Sequence, residues 1–207
     1  MGHQFLEILS TPAVQAARLA RAGADPYAGA AEGPDYNHRL GPAEAAFVAA
    51  RDGFYLASHS ASGWPYIQFR GGPVGFLRVL DEATLAFADF RGNRQYLTAG
   101  NVAEEDRVAL FLMDYTRRRR LKLLGRLRFV DDPALMGRVA LPGYAAKVER
   151  VARIDVGALD WNCPQHIPLR FTEAENAAAS APLHRRIAEL EAENQRLRAL
   201  AGAPGPG

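Results

Sequence analysis

The stretch Phe87-Ala-Asp-Phe-Arg-Gly-Asn-Arg-Gln95 decides how the chain is organised. A β-like run, 84–89, leads into a glycine-containing turn, and a helix-like run follows. Asn93 is predicted to cap that helix, because its side-chain oxygen can accept an unsatisfied N–H group of the first turn. Arg94 and Gln95 would then lie in the first turn, where the amide groups and the helix dipole both favour an anion. The stretch therefore predicts a phosphate-binding cradle between a strand and a helix.

Positive charge is concentrated in the middle of the chain. The 207 residues carry a formal net charge of only +2, and 48% of them are hydrophobic, which is typical of a soluble globular protein. From Trp64 to Arg128, however, there are 12 Arg and Lys against 7 Asp and Glu, a local excess of +5. This region would attract an anionic ligand. Nucleic acid is not an expected partner, because the total charge is close to zero.

The sequence gives no signal for export or membrane insertion. Its first residues lack the basic and apolar regions of a signal peptide, and the longest clear apolar run, 108–113, is far too short to span a bilayer. Cys163 is the single cysteine, so no intrachain disulfide can form. A cytoplasmic protein without a membrane partner is expected.

Short β-like runs follow one another from residue 54 to residue 156. They are 54–58, 65–70, 76–80, 85–89, 107–114, 117–130 and 148–156, with helix-like runs at 42–51, at 93–102 and after Asp132. Strands and helices do not alternate one for one, which favours a closed or partly closed antiparallel barrel over a doubly wound sheet. The predicted fold class is mainly β with peripheral helices (α+β).

Two appendages flank the predicted barrel domain, which covers residues 42–172. Residues 1–41 are predicted to form an N-terminal helical extension and a connector, with Thr11 before Pro12 as a helix cap. Residues 173–207 are predicted to form a C-terminal amphipathic helix followed by a disordered tail.

Two of the predicted strands carry strong patterns. The run 107–114 is almost continuously apolar, which predicts burial on both faces. In the run 117–130, apolar residues alternate with basic ones, so that four cations are predicted to lie on one face of a strand. The four cations are Arg120, Lys122, Arg126 and Arg128.

The C-terminal run contains a heptad pattern. A spacing of 4-3-4-3-4 connects Leu183, Ile187, Leu190, Asn194, Leu197 and Ala201. A lone Asn at such a core position favours a two-stranded parallel coiled coil, at some cost in stability. The pattern extends over only about two and a half heptads, fewer than a secure assignment needs. An ordinary amphipathic helix packed on its own barrel is the alternative.

Four further motifs are less specific. The glycine-rich run 71–75 could let the backbone approach a flat ligand or could form a tight turn with a bulge. Cys163-Pro-Gln-His166 lacks a second pair of ligands, so a loop is expected there and no metal site. His59 is expected to be a surface histidine, and the basic run 117–120 is expected to form a solvated hairpin. No catalytic side chain is predicted.

Six ordered motifs lie between residues 40 and 172. They are Trp64-Pro-Tyr-Ile-Gln-Phe-Arg-Gly-Gly-Pro73, Phe76-Leu-Arg-Val-Leu-Asp81, the run 85–96, the run 107–114, Gly125 and Asp160-Trp-Asn-Cys-Pro-Gln-His-Ile167. Together they resemble the pyridoxamine 5'-phosphate oxidase-like, FMN-binding split-barrel flavoproteins. The resemblance implies a six-stranded antiparallel split β-barrel and a homodimer with two FMN molecules at the subunit interface.

The resemblance also implies where the phosphate end of FMN would be bound. Arg94 and Gln95 match the Arg-Lys phosphate pair of the family, with Gln in place of Lys, which removes one charge. Gln68, Phe69 and Arg70 match the strand that contributes an arginine and backbone groups to the flavin.

Five other positions match flavin contacts of the family. Ala88 and Asp89 correspond to the strand end that lies along the flavin. Arg120 corresponds to a position, often Gln, that reaches the flavin ring or the ribityl chain. Trp161 and Arg170 correspond to a C-terminal Trp and Arg that the partner subunit supplies.

The implied activity is that of an FMN-dependent oxidoreductase acting on a small-molecule substrate or electron donor. The true oxidase of the family carries an Arg-x-His-x-Arg cluster after its C-terminal Trp. The run 161–170 lacks this cluster, so activity on pyridoxine or pyridoxamine phosphate is not expected. One alternative is a protein that binds or senses a flavin, a deazaflavin or haem without turnover. Another is a module that binds nucleic acid or a partner through the basic strand and the C-terminal helix.

Overall fold

One antiparallel sheet of seven strands dominates the described part of the computed structural model, residues 3–30, 32–33 and 36–201. The strands are β1 (Gly53–His59), β2 (Pro65–Gly71), β3 (Arg78–Asp81), β4 (Thr84–Phe90), β5 (Arg107–Asp114), β6 (Arg119–Val130) and β7 (Val148–Asn162). The helices are α1 (Gln4–Leu9), α2 (Pro12–Ala22), α3 (Pro42–Ala49), α4 (Leu97–Glu104), α5 (Pro133–Val139) and α6 (Glu173–Ala201). No helix within these residues has the length and apolar character needed to cross a membrane.

The sheet curls around an apolar core without closing. Its strand order is β2-β1-β5-β6-β7-β4-β3, so β2 and β3 form the two edges. Three strands separate β1, which carries Phe54, from β4, which carries Phe87, yet the centroids of the two rings are 5.5 Å apart. The predicted fold class is confirmed, but the prediction of six strands in a barrel is corrected. The short strand β3 pairs with β4 and adds a seventh strand at one edge.

Strand β4 is buried on both faces because it lies between two apolar clusters. Leu85 and Phe87 point into the main core. Ala86 and Ala88 point the other way, into a smaller cluster with Val139 of α5. This double burial explains why the run 84–89 shows no alternation of apolar and polar residues.

Strands β5 and β6 differ in how well their patterns predicted burial. On β5 the even-numbered residues 108–114 are buried, whereas the opposite face, including Phe111 and Met113, is only half-buried. The prediction of burial on both faces is therefore wrong for the single chain. On β6, Leu121, Leu123 and Leu127 are buried on one face, and the predicted alternation is confirmed.

Strand β7 is longer than predicted. The expected strand 148–156 continues to Asn162, because β6 pairs with β7 from Val130 to Arg120 and a bulge at Leu124 and Gly125 lets the ladder continue. The predicted cap at Thr11 is confirmed, since Thr11 accepts a hydrogen bond from the Val14 N–H at 3.4 Å at the start of α2, and the short helix α1 precedes it.

The chain divides into two compact units. One comprises Met1–Asp114 and Arg118–Ile167, and the other comprises Tyr115–Arg117 and Pro168–Gly207. Helix α6, with 29 residues, forms most of the second unit and has no buried residue. The predicted disordered tail, residues 202–207, lies outside the described residues.

Candidate functional site

A narrow, open cleft lies where β4 ends. Strand β2 supplies one wall, because alternation points Tyr66, Gln68 and Arg70 to the same side of the strand. The other walls come from the end of β4, the loop 92–96, the start of α4 and the first residues of β7. The cleft thus brings together residues that are far apart in the sequence.

A buried carboxylate holds two arginines in this cleft. Asp89, only 5% exposed, accepts hydrogen bonds from Arg150 Nε at 3.1 Å and from Arg70 Nη1 at 3.2 Å. Arg150 lies on β7 directly opposite Asp89 in the β4–β7 register, whereas Arg70 lies on the edge strand β2. Burial lowers the pKa of Arg70, and the neighbouring Asp89 opposes that shift. The three groups therefore connect both sides of the curled sheet.

Arg70 and Arg150 retain capacity for a further anion. A guanidinium has five N–H donors. Arg70 Nε is buried and has no hydrogen-bond partner among the described residues. The guanidinium of Arg150 lies 3.8 Å from the centre of the Phe129 ring, which holds it by a cation–π contact. Such a pair of fixed arginines suits phosphate recognition.

The loop that carries Arg94 is fixed by one carboxylate. Glu149 accepts a hydrogen bond from Arg91 Nε at 2.7 Å and from the Tyr96 hydroxyl at 3.1 and 3.2 Å, so it holds both ends of the loop. The bond from Arg91 is the main reason why the pKa of Glu149 lies below its ordinary value.

This loop corrects the predicted helix start. Helix α4 begins at Leu97 and not at residue 93, because Arg94 and Tyr96 have left-handed φ angles of 63° and 51°, which a helix does not allow. Asn93 accepts a hydrogen bond from the Gln95 N–H at 3.1 Å and so stabilises the turn rather than capping the helix. Arg94 and Gln95 therefore precede the helix. Among the described residues, Arg94 has no hydrogen-bond or ion-pair partner.

Polar bonds fix α4 against the inner wall of the cleft. The Thr98 hydroxyl donates to Gln68 Oε1 at 3.1 Å. Three residues further along, Asn101 Nδ2 donates to the hydroxyl of Ser58 on β1 at 3.0 Å. Thr98 and Ser58 are both buried, so these bonds satisfy polar groups that would otherwise destabilise the fold.

Half of the predicted cofactor-binding residues meet in this cleft. They are Gln68, Arg70, Asp89, Arg94 and Gln95. Phe69 and Ala88 do not face it. Phe69 lies on the other side of β2 with its ring 5.4 Å from that of Tyr55, and Ala88 belongs to the small cluster beneath α5.

Two more predicted residues lie at the far end of the β6–β7 pair. Arg120 and the cleft-lining Phe129 are nine residues apart on β6, which is roughly 30 Å along a strand. There Arg120 donates to the Asn162 side-chain oxygen, in the amide orientation that satisfies both groups. Trp161 donates from Nε1 to Glu44 Oε1 at 2.6 Å and packs against Phe47.

The tenth predicted residue, Arg170, belongs to the second unit. Within that unit its guanidinium lies 4.8 Å from the centre of the Tyr115 ring. The roles predicted for Arg120, Trp161 and Arg170 remain predictions, and the partner subunit was expected to supply Trp161 and Arg170.

Sequence reasoning missed several residues that line the cleft. They include Tyr66, Thr98, Phe129, Glu149 and Arg150. A signal for Arg150 existed in principle, because opposite charges often face each other across antiparallel strands. Using it requires knowing that β4 pairs with β7, two strands that are distant in sequence.

Comparison with protein families shows to which family the chain belongs. The family described as pyridoxamine 5'-phosphate oxidase matches residues 40–158, more than half of the chain. The chain belongs to the pyridoxamine 5'-phosphate oxidase family. This confirms the resemblance inferred from the motifs. The five predicted residues that meet in the cleft lie inside the matched region, whereas Trp161 and Arg170 lie beyond it.

Several solved structures resemble this member of the pyridoxamine 5'-phosphate oxidase family. HupZ of Group A Streptococcus has 15% identity and a TM-score of 0.49, with 64% of this chain and 100% of HupZ covered. An FMN-binding protein from Syntrophomonas wolfei has 12% identity and a TM-score of 0.44, with coverage of 56% and 81%. An F420 reductase has 19% identity and a TM-score of 0.40, with coverage of 55% and 93%. None of the curated proteins matches the sequence.

Proposed function

We propose that the chain binds FMN in this cleft and acts as an oxidoreductase. The flavin would exchange electrons or hydride with a small molecule whose identity is open. One observation carries the proposal: within the described residues, Arg70 and Arg150 converge on Asp89 beside the unpaired Arg94, and a buried donor of Arg70 lacks a hydrogen-bond partner. Membership of the pyridoxamine 5'-phosphate oxidase family supports FMN as the anion that these arginines bind.

The residues at the cleft fit the phosphate end of FMN. The lining includes three arginines against two carboxylates, and the two carboxylates already accept bonds from arginines. Arg94 would neutralise the phosphate from the loop, and Arg150 would supply the second cation that Gln95 does not. Charge-assisted hydrogen bonds of this kind contribute about 1.5–3 kcal/mol each.

FMN supplies the redox chemistry, so the protein needs to bind, orient and shield it. Asp89 would keep Arg70 and Arg150 in place before the ligand arrives, which avoids an ordering cost on binding. Glu149 would fix the loop, and Gln68 with Thr98 would fix the start of α4. No side chain of the cleft is assigned a role as general acid or base.

We further propose a cytoplasmic homodimer of split barrels that shares FMN between its subunits. Support comes from an apolar groove on the outer side of β1, β2, β5 and β6, lined by residues including Tyr55, Ile67, Phe111 and Leu124. Ile67, which lies on the edge strand β2, is 65% exposed in the single chain. A second subunit covering this groove would bury the half-buried face of β5. In such a dimer, Arg120, Trp161 and Arg170 of one subunit are proposed to serve the cleft of the other.

The absorption spectrum of the purified protein tests the proposal directly. We expect a yellow protein, or a colourless protein that binds added FMN with a shift of the flavin bands. A chemical reductant should bleach the bound flavin. A preparation that stays colourless and leaves the spectrum of added FMN unchanged contradicts the proposal.

A chromophore-binding protein without turnover is the second candidate. It is favoured by the cleft lining, which as described contains no His or Cys and holds both of its carboxylates in ion pairs. The ligand would be FMN, a deazaflavin or haem. The rate at which NAD(P)H or another donor reduces the bound chromophore distinguishes the two candidates, because turnover requires reduction and storage does not.

A further inference from the structure

The C-terminal helix α6 has an apolar seam whose side chains are exposed in the described part of the structure. Leu183 is 66% exposed, and Ile187, Leu190 and Leu197 are also exposed. These residues repeat at the heptad spacing, with Ile187 and Asn194 at a positions and Leu183, Leu190 and Leu197 at d positions. Ile at a with Leu at d is the combination that favours two parallel strands. The seam begins directly after Pro182, where a backbone N–H donor is lost.

Charges beside the seam agree with one arrangement of two helices. In a parallel, in-register pair, each g position faces the e position five residues further along on the partner helix. Arg186 at g would face Glu191, and Glu193 at g would face Arg198. Both pairs are attractive, and e and g charges are the ones that set partner choice and orientation.

Asn194 selects the parallel register. Its side chain lies at a core position and, within one chain, donates only to the Leu190 carbonyl at 3.3 Å. In a parallel, in-register pair the two Asn194 side chains face each other and can hydrogen-bond. In an antiparallel pair, a positions face d positions, so Asn194 would face a leucine and remain without a polar partner.

We propose that α6 pairs with α6 of a second copy of this chain as a parallel, in-register coiled coil from Leu183 to Ala201. The seam of 19 residues is about 28 Å long, and helices of this length are marginal alone. The pairing therefore depends on the rest of the protein to raise the effective concentration of the two helices. This inference does not rest on the proposed flavin function.

Cysteine cross-linking in the full-length protein tests the pairing. Cys163 is exposed and is first replaced by Ser. In that background, Ile187→Cys places a thiol at the centre of the seam, and Ala188→Cys places one on the outer side of the same helix. Disulfides require Cα atoms about 4.4–6.8 Å apart. Mild oxidation should convert Ile187→Cys to a covalent dimer on a non-reducing gel and leave Ala188→Cys mostly monomeric.

A second position guards against a local effect of the first substitution. Leu190→Cys keeps Ile187 in place and should cross-link like Ile187→Cys, because both positions lie on the seam. Equal cross-linking at Ala188 and Ile187, or none at Ile187 and Leu190, overturns the proposal. An antiparallel pair also gives no homodisulfide at Ile187, since that residue would face the other end of the partner helix.

Charge reversal then tests the register. Glu193→Arg and Arg198→Glu should each reduce the cross-linking of Ile187→Cys several-fold, and the double variant should restore it. Residues five apart do not face each other within one helix, so restoration reports a contact between chains. Additive losses in the double variant would contradict the parallel register.

Discussion

The two ends of the β6–β7 pair use their charges in different ways. At the cleft end, Arg150 and Arg70 share the single carboxylate of Asp89. At the far end, the polar groups of the same two strands are distributed over two carboxylates. Lys122 pairs with Asp160 at 2.6 Å, His3 lies 3.5 Å from the other oxygen of Asp160, and Trp161 donates to Glu44.

This difference supports the proposal that the cleft end binds an anion. At the far end, the ring of Trp161 packs edge-on against Phe47, and the Arg119 guanidinium lies 4.3 Å from the Trp161 ring. At the cleft end, a buried donor of Arg70 has no partner among the described residues. A site that holds more donors than acceptors gains from an anionic ligand, whereas a satisfied cluster only stabilises the fold.

Removing the shared carboxylate should have the largest effect. Asp89→Asn leaves Arg70 charged and buried without its counter-ion, and breaking a buried pair in this way costs about 3 kcal/mol. Urea unfolding of the protein without flavin measures the loss. The control at the far end is Glu44→Gln, which keeps one oxygen for the Trp161 bond, loses the acceptor of the Gly41 N–H, and should cost about 1 kcal/mol. Equal losses at the two ends would contradict the contrast between them.

The fold was largely predictable because its signals are local. Seven β-like runs match the seven strands, and the alternation on β6 identified the buried side of that strand. Two features were not local. The half-buried face of β5 depends on which other segments reach that side of the sheet, and the extension of β7 depends on a bulge opposite Gly125. Neither of these two features is visible as a pattern of residues within β5 or β7.

Half of the residues predicted for the site lie in the cleft, again because the signals that could be used are local. Arg94 and Asp89 belong to one continuous stretch whose motif is specific. Arg150 enters the cleft only through the pairing of β4 with β7, and Arg70 through the curl that brings the edge strand β2 back to β4. The left-handed residues Arg94 and Tyr96 moved the helix start, because sequence patterns do not report positive φ angles at residues other than glycine or asparagine.

Arg94 and Gln95 should differ in their effect on flavin binding. Arg94→Ala removes a cation that is exposed and unpaired within the described residues, so it should weaken FMN binding by about 1.5–3 kcal/mol, or roughly tenfold or more. Gln95→Ala removes at most a neutral hydrogen bond and should cost about 1 kcal/mol. Quenching of flavin fluorescence on titration measures both affinities. The urea midpoint of Arg94→Ala should match that of the unsubstituted protein, which separates a binding effect from unfolding. A larger loss for Gln95→Ala would mean that the loop does not hold the phosphate.

Arg120 should have the smallest effect, and its effect tests whether the site is shared. Arg120→Ala should weaken FMN binding a few-fold. Within its own chain, Arg120 is separated from the cleft-lining Phe129 by roughly 30 Å of strand. Any loss must then come through the cleft of a second subunit. Co-refolding Arg94→Ala chains with Arg120→Ala chains sharpens this test. A two-fold dimer that shares its sites would regain one intact site in each mixed dimer, or about one quarter of all sites.

A second mixture of variant chains is the matched control. Arg94 and Gln95 lie in the same loop, so a mixed dimer of Arg94→Ala and Gln95→Ala chains contains no intact site and should regain no high-affinity binding. Recovery in the Arg94 and Arg120 mixture alone would place the two ends of the β6–β7 pair in one composite site, with each subunit contributing one end. Without recovery in either mixture, the far end would be a purely structural cluster, and the contrast with the cleft would be complete within a single chain.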